Sequence, residues 1–165
     1  MNILLIIIGV VLLCNIVDCY KKGMIKSIIS FVSLIVLCIV VALIGNGLQS
    51  YLDGEILNVV IMVLLLGLLG IIHHLLGVVF FSAKLIAKLP IVKSLDKALG
   101  IVFGILETVL ILWTIYTFVM MLDMGMIGKQ LLEYTQNSPI LLWFYQNNYL
   151  AYFVEKLGAQ LPILQ

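Results

Sequence analysis

Four long apolar stretches separated by short polar segments organise most of the chain, at about residues 3–19, 25–44, 57–81 and 99–122. A helical span needs about 20 mostly apolar residues to cross about 30 Å of hydrocarbon. The first stretch is short by that measure. The third lies within the uncharged run 56–83, and the fourth is interrupted only by Glu107. Spans of this kind must be helical, because an isolated strand leaves its backbone groups unpaired in lipid. The pattern therefore predicts an all-α, polytopic membrane protein, with residues 1–122 as a four-helix transmembrane bundle. Residues 123–165 form a tail of different character. Ser138 and Pro139 read as the N-cap and first position of a helix, and Trp143, Phe144, Tyr145, Tyr149, Tyr152 and Phe153 follow. Tyrosine and tryptophan at this density suit a membrane interface. Gly158 and Pro162 end the pattern, so a short interfacial helix or helix pair is expected, lying on the outer surface.

The lysines give the bundle a direction. Lys21, Lys22 and Lys26 lie between the first two stretches, and Lys84, Lys88, Lys93 and Lys97 between the last two, whereas residues 45–55 carry Asp53 and Glu55 and no lysine. By the positive-inside rule both lysine-rich connections face the cytoplasm, with the two termini and the middle hairpin outside. The first connection is tight and contains Gly23, which makes helices 1 and 2 antiparallel neighbours. In the second, Lys84 and Lys88 flank Leu85 and Ile86 ahead of Pro90. This spacing predicts a turn or two of amphipathic helix at the headgroup boundary. Two readings stand open: either these lysines attract anionic lipid, by about 1 kcal/mol each, or they are a plain orientation signal with no lipid preference.

Composition agrees and excludes several classes. Of 165 residues, 64% are hydrophobic and 10% charged, and mean hydropathy is +1.28. A soluble domain carries about a quarter charged residues, so the lipid bilayer is the solvent for most of this surface. A net charge of +1 offers no footprint for nucleic acid. Cys14, Cys19 and Cys38 fit no metal or redox spacing. Neither a metalloprotease pair, a phosphate loop, a nucleophile elbow nor a dinucleotide turn is present. No catalysis, cofactor or metal is therefore expected. The first stretch lacks a preceding basic residue and a small-residue cleavage site, and is read as a retained span rather than a signal peptide.

Three polar or small-residue constellations stand out. Gly100 and Gly104 form a GxxxG pair, which Thr108 extends by one turn. In lipid, close backbone approach holds helices together, so this stripe is the expected contact face of helix 4, either within the bundle or between copies. Gly67, Gly70 and Gly77 on helix 3 are candidates for the facing surface. Asp96 is placed to cap helix 4, and Asp18 lies four residues before Lys22, a spacing that favours an ion pair. His73, His74 and Glu107 are ionisable groups at membrane depth, where such residues fix bundle register or mark a proton or ion path. The depths of Glu107 and His74 match when helices 3 and 4 share a short loop, so the carboxylate is expected to meet one of the histidines.

Three segments carry a resemblance. The turn from Tyr20 through Lys21, Lys22, Gly23, Met24, Ile25 and Lys26 to Ser27 matches the aromatic-basic-basic-glycine turn of the colicin V production protein family. Leu95-Asp96-Lys97, followed by Gly100 and Gly104, is similar to the start of that family's fourth span. Ser138-Pro139 and the pair Asn147-Asn148 resemble its tail. Glu107 and the His73-His74 pair fall outside the family's pattern. The resemblance implies a bacterial cytoplasmic (inner) membrane protein involved in production or export of a peptide toxin and in envelope homeostasis. It carries over no catalytic residue. An oligomeric channel or small transporter, and a module that organises other envelope proteins, remain the alternatives. The open partners are a second copy of the chain or another envelope protein.

Overall fold

The structure is a computed structural model that describes residues 2–49, 54–82, 93–122 and 124–160. Within these it consists of helices, in the order α1 (Ile3–Lys22), α2 (Met24–Gln49), α3 (Glu55–Ser82), α4 (Lys93–Met121), α5 (Gly125–Gln136), α6 (Pro139–Gln146) and α7 (Tyr149–Gln160). Among the described residues four helical segments are long and apolar enough to cross a membrane: Ile3–Lys22, Met24–Gly45, Ile56–Leu76 and Leu95–Met121. The predicted amphipathic turn at Lys84 and Lys88 lies outside the described residues, as does Pro162.

Local chemistry sets the helix ends. The Asn2 side chain accepts a hydrogen bond from the Leu5 amide, 3.3 Å away, and so caps α1 in the manner of N-cap residues. Gly23 ends α1 with φ of 77°, its N–H donating to the Cys19 carbonyl. That left-handed backbone is what glycine alone adopts at no cost, and it lets α2 begin one residue later, folded back on α1. The fourth helix starts at Lys93, ahead of Asp96 and of the apolar stretch that begins at about residue 99. Asp96 therefore lies in the first turn of α4 and not in front of it.

The order of packing differs from the order of the chain. α4 packs against α1 on one side and α2 on another, and α3 packs on α2. α2 therefore stands between α3 and α4. Its buried residues Leu34, Cys38, Val41 and Ala42 meet Leu110 and Phe118 of α4 and Ile61, Leu65 and Leu69 of α3 in one core. Gly45 is the tightest point of the α2–α4 seam, because a Cβ there would lie 2.5 Å from the Phe118 ring. In α1 only Cys19 is buried. Its outward residues Ile6, Val10, Leu13 and Val17 are exposed, as suits a helix whose solvent is lipid.

The tail is three helices where the sequence suggested one or a pair, with one set of side chains exposed and another part of the core. Ile140, Trp143, Tyr149, Tyr152 and Phe153 are exposed, while Leu141, Leu150 and Val154 are buried. Leu150 and Val154 join the core of α2, α3 and α4. Ser138 stands at the N-cap of α6 with Pro139 in the first turn, but its side chain makes no capping bond. The working cap is one helix later. Asn148 Oδ1 accepts from the Ala151 amide, and its Nδ2 donates to the Trp113 carbonyl (3.0 Å) and to Thr117 Oγ1 (3.2 Å). With Trp113 Nε1 donating to the Phe144 carbonyl and Tyr116 hydroxyl bonded to Thr135, the tail is fastened to the last third of α4. The Asn2 amide adds a bond to the Tyr134 carbonyl from α1.

Candidate functional site

The glycine stripe of α4 is the hinge of the site. A Cβ on Gly100 would lie 2.5 Å from the Cys19 carbonyl oxygen, and one on Gly104 would lie 2.8 Å from the Asn15 oxygen and the Ile16 Cα. The partner of this stripe is thus α1, running antiparallel, and the face is occupied within the chain. The expectation that α3 supplies the facing glycines is corrected: a Cβ added at Gly67 or Gly70 would meet nothing within 4 Å, and α2 separates α3 from α4. The surroundings of Gly77 lie outside the described residues. Thr108 completes the seam, donating back to the Gly104 carbonyl (2.9 Å) and accepting from Asn15 Nδ2 (3.0 Å).

Because α1 approaches so closely, Glu107 is enclosed. Only 4% of it is exposed, and it sits about 21 Å along α4 from Lys93 at about 1.5 Å per residue. Cys19 Sγ donates to its Oε2 at 3.5 Å, and Ser27 Oγ donates to the Cys19 carbonyl at 3.2 Å. One turn further along α2, Ser30 Oγ bonds His73 Nε2 at 3.2 Å. The expected pairing of Glu107 with a histidine is replaced by a bond from Cys19 of α1 to Glu107 and one between Ser30 of α2 and His73. His74 is exposed. Two atoms of this cluster, Glu107 Oε1 and His73 Nδ1, are buried without a protein partner.

The α1–α2 turn and the start of α4 meet at one end of the bundle. Asp96 Oδ1 accepts from the Met24 amide at 2.8 Å, so this carboxylate caps α2 and not its own helix. It lies directly over Gly23, where any side chain would run into it. Lys97 Nζ sits 5.0 Å from the centre of the Tyr20 ring, a cation–π distance. Lys22 and Asp18 form the expected ion pair at 2.6 Å. Lys21 is exposed and Lys26 half-buried. Lys84, Lys88 and the Lys93 side chain lie outside the described residues. Two of the motifs that carry the resemblance, 20–27 and 95–104, are thus one interlocked structure.

Sequence reasoning missed Asn15, Cys19, Ser27, Ser30 and Asn148. The signal was there in part: Asn15 and Cys19 are four apart on α1, and Ser27 and Ser30 three apart on α2, spacings that put each pair on one helix face. Among the described residues no group of three or more His, Cys, Asp or Glu side chains could hold a metal ion. An apolar cleft of about 270 Å³ lies between α1, α4 and α6, lined by Leu5, Gly9, Leu12, Ile105, Val109 and Phe144 among others.

The family model described as Colicin V production protein matches residues 5–154. No curated protein matches the chain, and no solved structure does.

Proposed function

Since the chain belongs to the colicin V production protein family, we propose that it is a non-enzymatic membrane component acting at the export stage of peptide-toxin production. One observation carries this reading: the family model matches residues 5–154, nearly the whole chain. The glycine seam of α4 abuts α1 within the chain, which speaks against its use as a seam between copies. In the same reading it resides in the bacterial cytoplasmic membrane, with the lysine-bearing end inside and both termini outside. The α1–α2 turn and the start of α4 share one end, which supports that arrangement.

The test is deletion in cells making a colicin V-type peptide, with secreted and intracellular toxin measured separately. Loss of secreted toxin with accumulation inside is expected. Equal loss of both pools would move the role to synthesis or stability of the peptide, and no change in either would overturn the reading. Topology is checked with single cysteines at positions 49 and 93 in an otherwise cysteine-free chain. An impermeant outside reagent should label position 49 and not position 93, and the reverse pattern overturns the orientation.

A further inference from the structure

A buried carboxylate and a half-buried imidazole lie toward the lysine-bearing end of the bundle, among polar neighbours. From that end inward come the Asp18–Lys22 pair, then Cys19 with Ser27 and Glu107, then Ser30 with His73. One turn beyond, Leu34 follows Ser30 on α2, Leu69 precedes His73 on α3 and Leu110 follows Glu107 on α4, and all three are buried in the common core. Cys38 lies one turn beyond Leu34, 0% exposed like Cys19.

Glu107 is 4% exposed, and its Oε1 has no partner, nor has His73 Nδ1. A buried polar atom without a partner costs about 1–3 kcal/mol. A carboxylate oxygen in hydrocarbon is worse, so native proteins satisfy such atoms with ordered water when the site is polar and offers two to four partners. This site offers them: an acceptor oxygen, a ring nitrogen that accepts or donates with its tautomer, and the Ser27 and Ser30 hydroxyls beside them. We infer that the bundle holds internal water between Glu107 and His73, with the buried Leu34, Leu69 and Leu110 next to it on the side away from the lysine-bearing end. The water links an acid and a base across α2 without their touching, which explains why no direct bond between them is needed for either to be tolerated at this depth. The inference stands apart from the toxin reading, because it rests on the interior alone.

X-ray radiolysis of the protein in lipid nanodiscs in ¹⁸O-water tests it, since hydroxyl radicals formed from a bound water oxidise the side chains beside it. Cys19 and Cys38 are equally buried and of the same chemistry, so each controls for the other. Cys19 should take up ¹⁸O several-fold faster than Cys38. Equal, slow oxidation of the two would show a dry interior and overturn the inference. Glu107→Leu should bring Cys19 down to the Cys38 rate, whereas Glu107→Gln, which keeps two polar atoms, should leave it high. An unchanged Cys19 rate in a folded Glu107→Leu protein would overturn the assignment of the water to the carboxylate. If Glu107→Leu does not fold, the wild-type comparison of the two cysteines decides by itself.

Discussion

Replacing Gly104 by alanine adds a single methyl carbon at one of the two close approaches between α1 and α4. That carbon would lie 2.8 Å from the Asn15 carbonyl oxygen and from the Ile16 Cα, against 3.4–4 Å in ordinary contact. Both neighbours are backbone, so neither can rotate away and the helices must part. The separation needed is roughly 0.6 Å, and a gap of that size forfeits about a quarter or more of the dispersion energy along the seam. Overpacking of this kind costs about 1–3 kcal/mol. The Asn15–Thr108 bond, 3.0 Å long beside the glycine, stretches with it and adds about 0.6 kcal/mol, the average for hydrogen bonds between helices in lipid. A loss of about 2–3 kcal/mol is therefore expected, a large share of the stability of any small protein. The contrast is Gly70→Ala on α3, where the new carbon meets nothing within 4 Å and alanine is the better helix former by about 1 kcal/mol. Equilibrium unfolding of the two variants in mixed micelles, followed through Trp113 fluorescence, measures both. The reasoning is refuted by a Gly104→Ala protein as stable as wild type, or by a Gly70→Ala protein that loses as much.

Two further outcomes follow from bonds that cross between elements. Asp96→Ala removes the acceptor for the Met24 amide and should cost about 0.5–2 kcal/mol, the usual loss of an N-cap; identical unfolding curves for variant and wild type would show that the carboxylate does not cap α2. Asn148→Ala removes the cap of α7 and its two bonds to α4, at about 0.5–1.5 kcal/mol each; amide exchange should quicken in α7 and stay unchanged in α1, and unaltered protection of α7 would refute the latch.

Much of this protein is decided by solvent. A chain that is two-thirds apolar, with charges gathered between long uncharged runs, has to place those runs in lipid as helices, because nothing else satisfies the backbone there. The four spans, the Asp18–Lys22 pair and the closeness required at Gly100 and Gly104 are all consequences of composition and spacing read locally. The membrane depth of Glu107 and of the two histidines is legible for the same reason, since depth is a count of residues along a helix.

Which helix meets which is not a local property. In lipid all apolar faces are nearly alike in energy, so hydropathy does not say whether a glycine stripe faces the next helix or one three elements away. That choice was made by shape. α1 has Asn15 and Cys19 where α4 has its gap, and α2 has Ser27 and Ser30 where Glu107 and His73 need neighbours. The same geometry leaves Gly67 and Gly70 facing open space and turns Asp96 from the cap of its own helix into the cap of α2. Sequence alone determined the elements, their depth and the end that bears the lysines. The tertiary structure decided their partners, because complementary backbone gaps and hydrogen-bonding atoms from residues up to 132 positions apart acquire meaning only when the chain has brought them together.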